Sequence, residues 1–189
     1  EKYQVSRGTV RSALSKLEKE KFIQIKPGSG AFVIHKTSLV PVSEVKNANP
    51  LELIDARFAL EPHICRLAVL HGKKEQFQKL ETLVEAMEKS VKDPVQFASA
   101  DTAYHQVLAD CTGNNLLIWI INQINSVRGQ DEWTKARHLT LNDNIIRTYN
   151  IQHKQILAAI KLREPEKAAS LMKEHLEIAR LSLTRAAGT

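Results

Sequence analysis

The apolar positions of this chain change period twice. Val10, Ala13, Leu14 and Leu17 recur at helical spacing behind Ser6, a residue suited to cap a helix running from Arg7 to about Glu20, with Val5 and Val10 placed as a hydrophobic staple. Phe22–Ile25 and Ala31–Ile34 are short β-prone runs on either side of Pro27-Gly28-Ser29-Gly30, the pattern of a hairpin. From Thr37 to Pro50, two prolines and several β-branched and turn residues oppose a continuous helix and read as a linker. Beyond it the helical period holds to the end. Breaks at His71-Gly72, Asp93-Pro94, Thr112-Gly113-Asn114 and Arg163-Glu164-Pro165 predict helices over about 51–71, 73–92, 94–111, 114–137, 142–162 and 164–186, with 129–144 the least regular part. The prediction is a mainly α protein: a helix-plus-hairpin head at 1–36, a linker at 37–50 and an antiparallel all-α bundle at 51–186.

Three of the bundle stripes are interrupted by polar residues. Asp101 and His105 lie on the face that Phe97, Tyr104 and Leu108 define. His153 falls between Tyr149 and Ile156, and His175 between Leu171 and Ile178. Carboxylates and imidazoles are costly in a core unless something binds them. One carboxylate and three imidazoles are a donor set for a divalent metal, with zinc, nickel, iron and manganese all open. The bland alternative is a hydrogen-bonded core histidine at each place, and for Asp101 and His105 an i,i+4 pair. His35, His63, His71 and His138 receive no role, and Trp119 and Trp133 are taken as packing residues or cavity wall.

Composition adds less. A chain of 189 residues with 43% hydrophobic content is globular, and no apolar run approaches membrane-spanning length. Cys65 and Cys111 are too few for a disulfide scaffold, so a reduced, cytoplasmic setting is expected. Charge changes the picture more. Residues 1–40 hold eight Lys/Arg against three Glu, which is five of the six net positive charges of the chain. A basic head on a near-neutral body points to a polyanion partner.

The residues Val5-Ser-Arg-Gly-Thr-Val-Arg-Ser-Ala-Leu14, Leu17-Glu18 and Pro27-Gly-Ser-Gly-Ala-Phe-Val33 resemble the GntR family of bacterial transcription regulators. The resemblance implies a winged helix-turn-helix, with the helix from Arg7 as recognition helix and the hairpin as wing. Arg7, Thr9 and Arg11 would then contact operator DNA, and Gly28 and Gly30 would let the wing backbone approach it. The first helix and most of the second in that family would precede Glu1, so the head reads as N-terminally truncated and residues 1–189 alone are expected to bind DNA poorly.

The body is similar to the FCD ligand-binding domain of the FadR subfamily, on Leu51 through Arg57 and Glu61-Pro62, Asp101 through His105, His153 through Ile160, and Ala168 through Leu176. In that subfamily one Asp and three His hold a metal, which the resemblance places on Asp101, His105, His153 and His175. It also makes Arg57 the candidate cation for a small carboxylate effector, the plain alternative being an i,i+4 salt bridge to Glu61. Arg128 is a further candidate. Residues 133–140 lie where pocket specificity could reside. The implied function is a ligand-responsive, homodimeric, DNA-binding regulator rather than an enzyme. A hydrolase-like metalloenzyme and a sensor of the metal ion itself are the alternatives that the donor set leaves open.

Overall fold

The computed structural model describes residues 5–34, 48–128, 134, 137 and 139–187. Most of the expected 37–50 linker, together with His35, Trp133 and His138, lies outside them. The chain divides into two units, residues 1–42 and 43–189.

In the first unit, Ser6 caps α1 (Arg7–Lys19), its hydroxyl accepting from the Thr9 amide at 3.1 Å. The helix ends in a Schellman pair. The Phe22 amide donates to the Leu17 carbonyl and the Lys21 amide to the Glu18 carbonyl, with Lys21 at φ 60° in the left-handed position usually given to glycine. Strands β1 (Ile23–Lys26) and β2 (Gly30–Val33) pair antiparallel, Ile23 opposite Val33 and Lys26 opposite Gly30. Both strands are displaced by one residue from the sequence prediction. The turn explains this, because the Ser29 amide bonds the Lys26 carbonyl and Gly28, at φ 74°, supplies the left-handed third position behind Pro27, a type II turn. Glu18 ties helix to hairpin by accepting the Ile25 amide at 2.7 Å. The expected inward stripe of α1 is mostly exposed among the described residues, with Val10 at 45% and Leu17 at 39%, and α1 buries no residue.

The second unit is the bundle. Asn49 and Glu52 form a capping box at the start of α2 (Pro50–His71), each accepting the other's backbone amide. Helix α2 lies along α7 (Pro165–Ala187), α3 (Lys74–Lys89) along α4 (Pro94–Cys111), and α6 (Asp143–Lys161) against α7 and α3. Helix α5 (Asn115–Arg128) rests on α4. Prolines at 50, 94 and 165 begin three of these helices, where the missing amide costs nothing. Of the predicted helix 114–137, residues 115–128 form α5, and 129–133 lie outside the described residues.

The core runs through the centre of the bundle on Leu80, Phe97, Tyr104, Leu108, Ile156, Ile160, Met172 and Leu176, all buried. Two devices close its ends. A bidentate Arg66–Glu166 pair, both bonds at 2.7 Å, joins α2 to α7. Arg163, left-handed at φ 61° after α6, donates to the Val69 carbonyl and stacks over the Phe77 ring. Among the described residues no helix is long and apolar enough to cross a membrane.

Candidate metal centre

Helices α4, α6 and α7 converge on the middle of the core, and each brings its polar interruption there. Asp101 and His105 sit one turn apart on α4, beside the buried Phe97, Tyr104 and Leu108; His153 comes from α6 and His175 from α7. All four are at most 2% exposed. One donor atom from each lies within 4.8 Å of the others. Donors bound to one ion at ~2.1 Å stand at most about 4 Å apart, so the cluster is close to the right size. His153 Nε2 is 3.3 Å and His105 Nε2 3.6 Å from Asp101 Oδ1.

The hydrogen bonding of the cluster is incomplete in a particular place. Asp101 Oδ1, His105 Nε2 and His153 Nε2 are buried without a hydrogen-bond partner, and they point into the same small space. Leaving such atoms unmet costs roughly 1–3 kcal/mol each. A cation would satisfy all three at once, so the donors present fit a divalent metal.

The surroundings keep the donors in the form a metal needs. Burial alone would raise the Asp101 pKa, but the Arg137 and Arg128 guanidiniums outweigh it and hold the carboxyl well below its usual range. Both arginines bond Asp101 Oδ2, Arg137 at 3.1 Å, which leaves Oδ1 facing the histidines. Burial lowers the His153 pKa, and burial together with the neighbouring His153 and His105 rings pushes His175 well below the ordinary imidazole value. The rings are packed: His153 and His175 have centroids 4.5 Å apart, and Tyr104 meets His153 edge-on at 4.7 Å while its hydroxyl donates to the His153 carbonyl.

Arg57 is fully buried and lies on Glu61, its Nε 2.6 Å from Oε1 and a terminal nitrogen 3.3 Å from Oε2. Arg128, at 6% exposure, lines a cavity of about 520 Å³ together with Arg137, Ser99, Thr102, Asn125 and Leu141. Burial and the charges of Arg57 and Arg137 outweigh the pull of Asp101 and bring the Arg128 pKa down to about 9, which leaves the group cationic at neutral pH. In the head, Arg7 and Arg11 are exposed on α1. The Thr9 hydroxyl is 2.9 Å from the Ser6 hydroxyl, and Gly28 and Gly30 hold positive φ in an open turn. His63 and His71 are exposed, and Trp119 is partly so.

The sequence reading placed Arg137 within the pocket stretch 133–140 without giving it a role, missed Gln152, and saw Glu61 only as a salt-bridge partner. Arg137 follows α5 in the part of the sequence whose apolar spacing is least regular, where no period marks an inward position. Glu61 did carry a signal: it follows Ile54 and Arg57 and precedes Ile64 and Ala68 on the buried stripe of α2, a second polar interruption like those of α4, α6 and α7.

The FCD domain family matches residues 52–178, and bacterial regulatory proteins of the gntR family match residues 1–33. The chain is an FCD-domain regulator of the GntR family. It is 29% identical over 186 residues to the Uxu operon regulator of Haemophilus influenzae, covering 97% of this chain and 70% of that protein. To the Exu regulon transcriptional regulator of Escherichia coli K12 it is 28% identical, with 95% and 70% covered. Streptococcus agalactiae GntR superposes with a TM-score of 0.68 at 25% identity, over 96% of this chain and 84% of that one. Escherichia coli McbR/YncC shares the fold, with a TM-score of 0.61 over 93% and 83%. The GntR-family regulator is thus a transcription factor, and the hydrolase-like alternative is set aside.

Proposed function

We propose that this regulator senses a small organic acid at a divalent metal held by Asp101, His105, His153 and His175, and that occupation of this site alters how the head binds its operator. The observation that carries the reading is the convergence of three unsatisfied buried donor atoms from two helices on one space. The metal would supply Lewis acidity and open positions for a carboxylate. The chain supplies the rest. Asp101 and the three imidazoles hold the ion. Arg128 and Arg137, on the wall of the 520 Å³ cavity, provide cations for the far end of the acid. Arg57 has two of its five donors on Glu61, so in this proposal it contributes chiefly its charge.

In the head, Arg7, Thr9 and Arg11 face DNA in the major groove, with Gly28 and Gly30 at the tip of the wing. The regulator acts as a cytoplasmic homodimer, and two heads read two half-sites. A shift of the bundle between two arrangements changes the fit of both heads to the operator, which is what coupling between acid and DNA requires.

The test is operator affinity of the intact regulator on duplexes selected from random sequence. It is measured after chelation, with zinc or nickel alone, and with metal plus lactate, gluconate or malate. Affinity that changes with an acid only when metal is present supports the proposal. A change with metal alone makes the ion itself the signal. Acid dependence that survives chelation overturns the metal site as the sensing element.

A further inference from the structure

Behind His105, on the side away from the cluster, stands a second buried carboxylate. Glu61 is 2% exposed, and its Oε2 lies 2.7 Å from His105 Nδ1. A carboxylate held by Arg57 only accepts hydrogen bonds, so an approach this close favours the ring proton on Nδ1 and leaves Nε2 bare. It is Nε2 that faces Asp101 Oδ1 and the space between the three histidines. Glu61 is itself anchored, since Arg57 donates to both of its oxygens.

We infer that Glu61 is a positioning residue that fixes the tautomer and ring orientation of His105, and that Arg57 serves the site by holding Glu61 in place. Without Glu61, a neutral His105 could place its proton on Nε2 and donate it to Asp101. That tautomer offers the metal no lone pair and occupies the very oxygen the metal needs. A carboxylate behind the ring excludes it, in the way that acceptors behind metal-bound histidines set tautomer and basicity. The His105 ring has little freedom to turn instead, stacked on His175 at 5.5 Å and met edge-on by Tyr104 at 5.7 Å.

The three imidazoles are supported unequally. His175 Nδ1 has a neutral counterpart, the Gln152 side-chain oxygen at 3.0 Å, which requires the same tautomer but sits only partly buried. His153 Nδ1 meets neither a hydrogen-bond partner nor a carboxylate among the described residues. Support therefore falls from a buried anion, to an amide, to none. His105 is the ligand whose form is most firmly imposed before any metal arrives.

The consequence for metal affinity rests on the metal reading above, but the tautomer can be measured without metal. In the chelated regulator labelled with 15N-histidine, two-bond proton–nitrogen correlations should show His105 protonated at Nδ1 and bare at Nε2. In Glu61→Gln the side-chain amide must turn its oxygen to Arg57 and its NH2 to His105, which should move the ring proton to Nε2. Zinc affinity, by competition with a chromophoric chelator, should fall about 10–100-fold in Glu61→Gln and less in Gln152→Ala. If Glu61→Gln does not fold, the double variant Arg57→Met/Glu61→Leu removes both charges together and should show the same loss of zinc affinity. A proton on Nε2 of His105 in the unaltered protein, or zinc affinity within threefold of the unaltered protein in the folded Glu61 variant, overturns the inference. Failure of the unaltered protein to bind zinc or nickel sinks the metal reading instead, and leaves the tautomer result standing on its own.

Discussion

Asp101 carries two separable duties, and a pair of substitutions divides them. Its Oδ1 faces His105 and His153, whereas its Oδ2 receives Arg128 and Arg137, whose side chains are 2% and 9% exposed. In the metal-free protein, Asp101→Asn keeps the shape but removes the charge opposite two buried guanidiniums. Breaking a buried ion pair from one side costs about 3–5 kcal/mol, a large share of the roughly 5–15 kcal/mol that holds a typical domain folded. At ~2–4 °C per kcal/mol for a domain of this size, the melting temperature should drop by roughly 6–20 °C. His153→Leu is the contrast. It removes a buried imidazole whose Nε2 and Nδ1 lack hydrogen-bond partners and puts an apolar side chain in its place. That exchange should stay within about 1.5 kcal/mol of the original in the metal-free state. Both variants should lose the metal. The assay is thermal and urea unfolding after chelation, together with elemental analysis after reconstitution. If metal-free Asp101→Asn melts within 2 °C of the unaltered protein, the arginine clamp does not hold the core together. If His153→Leu keeps a full equivalent of metal, the four-donor site is wrong.

Other consequences are simpler to read. A Cβ at Gly72 would lie 2.5 Å from the Ala68 carbonyl oxygen and 2.5 Å from the Phe77 ring, so Gly72→Ala should destabilise the bundle by about 1–3 kcal/mol in urea unfolding; a neutral result would mean that the α2–α3 corner is looser than described. Burial, reinforced by Asp110, pushes the Cys111 thiol up to about 12, and burial pushes Cys65 up as well. A raised thiol pKa means less thiolate, so at pH 8.5 both should resist iodoacetamide in the folded protein and react once urea returns them to the ordinary value of about 8.5. Native labelling at the rate of a free thiol would contradict their burial. Arg7→Ala or Arg11→Ala should weaken operator binding by about 1–3 kcal/mol if the arginine reads a base bidentately, and unchanged affinity in both would end the recognition-helix assignment.

Much of the bundle was legible because its punctuation is local. Asn49-Pro50, Asp93-Pro94 and the Asn142 cap each satisfy or remove amides at a helix start, so the sequence marks the boundary wherever the rest of the chain lies. Two helix ends were less plain, because Lys21 and Arg163 take the left-handed position that a glycine would have advertised. The one-residue shift of the hairpin has the same origin. The type II turn is set by which residue takes positive φ, and Pro27-Gly28-Ser29-Gly30 offers two glycines for that place. The inward face expected for α1 depends on what packs over Val10 and Leu17, and no local signal fixes that.

The candidate metal ligands and the residues placed behind them were legible to different degrees for a physical reason. A ligand breaks an apolar stripe on its own helix, so Asp101, His105, His153 and His175 stand out in one dimension. A supporting residue is defined by a pairing across helices. Glu61 reaches His105 from α2, Gln152 reaches His175 from α6, and Arg137 reaches Asp101 from 36 residues away. Their sequence signatures are weak or have a cheaper explanation, as Arg57 and Glu61 do when read as an i,i+4 pair. The structure keeps that pair and gives it a third member. An i,i+4 bridge on a helix surface stabilises by only a few tenths of a kcal/mol, too little to offset taking both charges out of water. Burying Arg57 and Glu61 therefore calls for a function beyond helix stability, and among the described residues the 2.7 Å approach of Glu61 to His105 offers one.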